Sequence, residues 1–285
     1  MIRKNGFSKS DPLLIGFLTV LLVLICLPRF DRRDLGLIGG LTTDGKAATE
    51  QLYDASYYVE YLELFRGIPA KTLKAPFSYR PLVPFLGSLL PFKPMTSINI
   101  VNLAFLFIGL VFLHLTLLFV GVSTKLKFFG DLLYVVSFPV FYYGTIGLVD
   151  PAAIGLLFLC LFLVLREKLI LLVLALGLGI FAKETVVIIV PFFFGYLLLF
   201  KRISLASSLS KSIILAVYVF GLMLLIRAIS PGTGEYLWKL SADKIAFNLS
   251  RPRTYLSIIL SFGFLGLLLR CVIFSRELCP TKAWI

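Results

Sequence analysis

Apolar residues fill this chain in long blocks, and polar residues interrupt them only briefly. Windows of about 15 to 25 apolar residues, the length that crosses a hydrocarbon core, lie near 13–28, 98–122, 128–148, 151–165, 169–182, 185–200, 212–229 and 255–274. The pattern predicts an all-α polytopic membrane protein. Residues 1–285 then form a single transmembrane domain with about eight transmembrane helices, the two that flank Lys183 being short. Residues 29–94, between the first two blocks, form an extracytoplasmic loop. Within it about 48–66 reads as a helix, in which Leu52, Val59 and Leu62 alternate with Tyr53, Tyr57, Tyr58 and Tyr61. An amphipathic, tyrosine-rich helix between two spans belongs in the membrane interface, where phenols are favoured. Gly67 and Pro69 end it. Pro76, Pro81, Pro84 and Pro91 then preclude a long regular helix and predict a bent or re-entrant connection into the next span.

Composition agrees with the blocks. The 285 residues are 59% hydrophobic and only 15% charged, with a mean hydropathy of +0.97, beyond what a soluble domain of this size reaches. The 28 Lys and Arg against 15 Asp and Glu give a formal charge of +13, which on a soluble chain would point to nucleic acid. Their placement excludes that partner. Arg3/Lys4/Lys9, Lys125/Lys127, Arg166/Lys168, Lys201/Arg202/Lys211 and Arg270/Arg276/Lys282 fall at alternate ends of the predicted spans, as cytoplasmic loops do. The N-terminus is therefore expected to be cytoplasmic and the 29–94 loop outside, in a plasma membrane or bacterial inner membrane. The first block follows basic residues as a signal peptide does, but Leu27-Pro28-Arg29 offers no small-residue cleavage site, so it reads as a retained anchor. Cys26, Cys160, Cys271 and Cys279 are too scattered for a disulfide framework and read as free thiols. The lone histidine, His114, reads as an interhelical hydrogen-bonding residue, since one imidazole among Leu and Phe builds neither a metal site nor a triad.

Charges at the edges of spans are costly and so are candidates for chemistry. Asp54, Tyr58, Tyr61 and Phe65 recur at i, i+4, i+7 and i+11, which places them on one helical stripe with a carboxylate at its head. Counting spans, Asp150, the Lys183/Glu184 pair and Arg251/Arg253 emerge on the same side as Asp54. Local alternatives stay open. Asp150-Pro151 can simply start a helix, Lys183 and Glu184 can neutralise each other, Asp54 can be a solvated interfacial charge, and Arg80 can snorkel to lipid phosphates.

The runs YDASYYVEYLELFRG, APFSYRPLVPFLGSLLP, YYGTIGLVDPAAIGLLFLCLFLVL and LALGLGIFAKETVVIIVPFFF, in that order, resemble the N-terminal transmembrane core of the GT-C superfamily. These are integral membrane glycosyltransferases that take a sugar from a polyprenyl-phosphate carrier, as the dolichyl- and undecaprenyl-phosphate mannosyltransferase-like families do. The resemblance covers about residues 12–200 and matches Asp54 and Tyr58 to a first-loop Asp with a Tyr four residues on, Asp150-Pro151 to an Asp-Pro opening a later span, and Lys183 to a Lys in a phrase similar to FAKETVVIIVP. It implies that Asp54 is the general base on an acceptor hydroxyl, the lipid phosphate leaving from the anomeric carbon with inversion. Charge building on that phosphate needs fixed cations, for which Arg80, Lys183, Arg251 and Arg253 are candidates. Tyr58, Asp150 and Glu184 would line the same substrate site. The donor is the lipid-linked sugar, the acceptor is unassigned, no resident cofactor is called for, and a divalent metal stays open. Asp44, in TTDGK, rivals Asp54 as the base. The competing expectation is a non-catalytic transporter or assembly subunit for lipid-linked saccharides, which needs charges near the midplane or on both faces.

Overall fold

The computed structural model describes residues 10–29, 53–69, 73–137, 140, 144, 146–231, 246–247 and 249–251. These residues are helical wherever they are regular, with no strand among them. The helices are α1 (Ser10–Cys26), α2 (Tyr53–Phe65), α3 (Leu82–Ser88), α4 (Pro94–Val120), α5 (Thr124–Val136), α6 (Asp150–Leu165), α7 (Leu169–Ala182), α8 (Ile189–Gly195) and α9 (Leu205–Ile229). All belong to one compact unit, residues 2–235; residues 236–285, with Met1, form another.

Local chemistry sets the ends. The chain after α2 turns through Gly67 at φ +84°, with the N–H of Ile68 donating to the Glu63 carbonyl at 3.0 Å, a left-handed cap that only glycine adopts cheaply. The proline-rich stretch beyond it is bent as expected: a 3-10 turn at Phe77–Tyr79, then α3 of only 7 residues. Pro opens α4 and α6, where its missing N–H costs nothing, and Gly121 at φ +83° closes α4.

α4 and α6 form the middle of the unit and approach closely, because a Cβ on Gly155 would run into the carbonyl oxygen of Phe105. Three apolar clusters surround this contact. Leu18, Leu22, Leu106, Leu110 and Val135 join α1, α4 and α5. Tyr58, Leu62, Val83, Ile98 and Leu156 join α2 and α3 to α4 and α6. Leu172, Leu176, Ile189, Leu215 and Val219 join α7, α8 and α9.

α4 and α9 are long and apolar enough to cross a membrane, whereas α1, α6, α7 and the run Glu184–Phe200 are shorter apolar helices. Two expected spans are not regular α-helices throughout. In the 128–148 window α5 stops at Val136 and Ser137 is extended, two residues before Pro139, which cannot continue a helix. The 185–200 window is a 3-10 turn at Glu184–Ile188, then α8, then a π turn at Tyr196–Phe200. The 255–274 window lies outside the described residues. The helices carry large apolar side chains on their outward faces as well: Leu13, Phe17, Val20 and Leu24 on α1, Ile170, Leu174 and Leu178 on α7, and Ile213, Val217, Phe220 and Leu224 on α9 are exposed.

Candidate functional site

The tyrosine stripe of α2 faces inward. Ala55, Tyr58, Tyr61 and Leu62 are buried, while Asp54, in the first turn, is exposed. The Tyr58 ring meets Phe77 edge-on at 5.7 Å, and Tyr61 stacks on Phe65 at 4.9 Å. Most of the stripe is thus a packing face, and only its two ends, Asp54 and Phe65, reach the surface. Residues 48–52 of the expected helix, and Asp44, lie outside the described residues.

Arg80 does not snorkel outward. It ends the Phe77–Tyr79 turn with its side chain 9% exposed as a residue, and the guanidinium points into the unit. Nε donates to Glu184 Oε2 at 2.9 Å and Nη2 to Glu184 Oε1 at 2.5 Å, a two-pronged carboxylate pair, while Nη1 donates to the Tyr58 hydroxyl at 2.8 Å. Desolvation is the reason for this geometry. A guanidinium this buried needs its donors matched, and Glu184, 104 residues away in sequence, matches two of them.

Lys183 and Glu184 do not neutralise each other either. Lys183 has extended backbone, φ −166° and ψ 136°, which sends adjacent side chains in different directions. Its Nζ donates to Asp150 Oδ1 at 2.6 Å, while Glu184 turns to Arg80. Asp150, in the first turn of α6 beside Pro151, therefore serves as a counter-ion as well as a helix start. The break between α7 and the following turn thus ties α6 through one residue and the Phe77–Tyr79 turn through the next.

Electrostatics link the pieces. Burial raises the Tyr58 phenol well above its ordinary value, Arg80 opposes that rise, and the carboxylates of Asp150 and Asp54 both add to it. All three charged groups therefore lie within electrostatic reach of one hydroxyl. The Tyr58 oxygen accepts from Arg80 and keeps its own proton to donate. Burial works against the charged form of Glu184, but the Arg80 bonds outweigh it and hold the carboxyl below its usual range. Tyr58, Arg80, Asp150, Lys183 and Glu184 are thus brought together, with Asp54 beside them. Arg251 belongs to the unit 236–285, where its guanidinium lies 3.8 Å over the Phe247 ring, and Arg253 lies outside the described residues.

Sequence reasoning passed over three features. Arg66 gathers backbone carbonyls at the end of α3, donating to Leu90 O at 2.6 Å and Phe92 O at 3.0 Å, and so anchors the connection that carries Arg80. A second ionic cluster lies buried between α1, α4 and α5: Lys127 Nζ donates to Asp11 Oδ1 at 3.0 Å, and the His114 ring nitrogens face Asp131 Oδ2 at 2.7 Å and Asp11 Oδ1 at 3.5 Å. The rule that flags charges in spans applied equally to Asp131, which lies inside the apolar window 128–148. Arg227, in the last turn of α9, places its guanidinium 5.7 Å over the Tyr79 ring, and the same rule marks it at the edge of the window 212–229.

Among the described residues, no group of three or more His, Cys, Asp or Glu side chains is arranged to hold a metal ion. Comparison with protein-family models, with curated proteins and with solved structures returns no match for this chain. Chemically, the arrangement offers an exposed carboxylate, a protonated phenol beside it, and cations held in fixed places by counter-ions.

Proposed function

We propose that the chain is a polytopic membrane glycosyltransferase that moves a sugar from a polyprenyl-phosphate carrier to an acceptor hydroxyl at the extracytoplasmic face, with Asp54 as general base. The observation that carries this reading is the meeting of Tyr58, Arg80, Asp150, Lys183 and Glu184, with Asp54 alongside, from segments far apart in sequence. The membrane part draws on helices that are apolar on both faces: a soluble bundle keeps its outward faces polar, and contiguous exposed apolar surface marks contact with lipid or protein. The resemblance of residues 12–200 to the GT-C core supplies the reaction class.

In this reading the acceptor hydroxyl loses its proton to the Asp54 carboxylate as its oxygen attacks the anomeric carbon, and the carrier phosphate leaves with the bonding electron pair. The Tyr58 phenol, protonated and oriented by Arg80, donates a hydrogen bond into the site. The Arg80/Glu184 and Lys183/Asp150 pairs hold the walls, which keeps the reacting groups within the sub-ångström tolerance that proximity demands.

One observation favours the transporter alternative: the Asp11/His114/Lys127/Asp131 cluster puts charge towards the other end of the bundle. The buried Leu106 and Leu110, however, lie on α4 between that cluster and the Asn102 level. Transfer from a radiolabelled polyprenyl-phosphate sugar, measured for wild type, Asp54→Asn and Asp44→Asn, tests the reading. Loss of transfer in Asp54→Asn alone supports it, loss in Asp44→Asn alone moves the base to Asp44, and no transfer by wild type from any lipid-linked sugar favours the transporter.

A further inference from the structure

The cations that a departing phosphate calls for are already spoken for. Arg80 is matched by Glu184 and Lys183 by Asp150, so with Asp54 added the cluster is net negative and would repel a phosphate. Arg227 is different. No carboxylate among the described residues pairs with it, and it is exposed. Its guanidinium rests over the ring of Tyr79, the residue before Arg80. The end of α9 lies beside the buried Tyr61, since Ser230, three residues on, is near enough to act on its phenol. A guanidinium over an aromatic face is attracted to the ring without using its N–H donors, which stay available for phosphate oxygens. The ordinary alternative, that Arg227 merely offsets the negative end of the α9 dipole, accounts for the charge but not for the seat on Tyr79.

We infer that Arg227 is the phosphate-binding residue of the site and that Tyr79 is its seat. The inference rests on the transferase reading for the identity of the ligand, a phosphate monoester or diester carried on a prenyl chain. Arg80 and Lys183 then shape the site, and Arg227 receives the anion. Phosphates of bulk phospholipids share the same chemistry, so the test separates the two sources.

The full chain, in phosphatidylcholine nanodiscs, is titrated with radiolabelled farnesyl phosphate and, in parallel, with farnesol. Wild type, Arg227→Gln, Arg227→Lys and the distant control Lys211→Gln are compared. Arg227→Gln is expected to weaken farnesyl phosphate about ten- to a hundredfold, the cost of a lost charge-assisted hydrogen-bonding partner, with farnesol unchanged. Arg227→Lys recovers part of the loss because it keeps the charge and not the planar fork, and Lys211→Gln matches wild type. Equal farnesyl phosphate affinity in Arg227→Gln and wild type overturns the inference alone. So does a parallel loss of farnesol binding, which marks a structural defect. Displacement of farnesyl phosphate by an equal concentration of phosphatidylglycerol assigns Arg227 to bulk lipid and also overturns it. Absence of farnesyl phosphate binding and of sugar transfer in wild type removes the transferase reading, and the inference with it.

Discussion

Two ionic clusters stabilise the same bundle and differ in access. In the first, Arg80/Glu184 and Lys183/Asp150 stand at turns and helix ends, with the Glu184 side chain 41% exposed and that of Asp150 27%. In the second, Asp11, His114, Lys127 and Asp131 sit on the facing sides of α1, α4 and α5, none above 5% exposed. Both are made of opposite charges brought from distant segments, so charge in an apolar bundle does not by itself mark a reacting site. The first is partly open to the surface. The second is buried; within it His114 Nε2 reaches Asp11 Oδ1 only at 3.5 Å, and Asp131 Oδ1 has no hydrogen-bond partner among the described residues. Its consequence is structural: it clamps α1 and α5 onto α4.

The contrast yields outcomes of graded size. On the transferase proposal, Asp54→Asn keeps shape and removes the proposed proton acceptor, so turnover should fall about 10² to 10⁴-fold while the thermal midpoint hardly moves. Loss of activity through unfolding instead would erase the distinction between the clusters. His114→Leu removes the hydrogen-bond partner of the buried Asp131 carboxyl group and should destabilise the bundle by about 3 kcal/mol. Adding Asp131→Leu should restore much of that loss, since Asp11 and Lys127 still pair with each other; thermal unfolding in detergent reads both, and a double variant worse than the single one breaks the structural account. Transfer activity per folded molecule should be unchanged in the double variant.

The Glu184 carboxyl offers a pH readout. Its folded pKa lies below the ordinary 4.5, so its contribution is fully present above that value and is lost as pH falls through the folded pKa. Wild type should lose thermal stability along this acid limb and Glu184→Gln, which lacks the titrating group, should show a shallower one. Identical acid limbs would mean that the Arg80 link contributes little. At the small end, Lys201 and Glu167 form an exposed pair, and Glu167→Gln should shift stability by less than about 1 kcal/mol.

Legibility in the sequence followed the physics of each feature. The helices of α4, α6, α7 and α9 were readable because apolar runs bounded by Pro, Gly and charges carry their own length information. The end of α2 at Gly67 and the bent stretch after it were readable for the same local reason. In the expected 128–148 span the helix ends at Val136, a local break that a window average of hydropathy does not register. Of the candidate site, Asp54, Tyr58, Asp150, Lys183 and Glu184 were named from span edges and spacing, but who pairs with whom was not. Lys183 and Glu184 are neighbours in sequence and partners of other residues in space.

Sequence alone thus determined the helical class, the apolar character, most helix ends and the set of charges that an apolar bundle must account for, because these depend on residues within a few positions of one another. Tertiary structure alone decided that Arg80 turns inward to Glu184, that Asp150 takes Lys183, that His114 lies between Asp11 and Asp131, and that Arg227 alone of these cations stays free of a carboxylate among the described residues. The buried pairings follow from desolvation: a charge removed from water takes the nearest opposite charge in space, and packing of helices, not order along the chain, sets which charge that is.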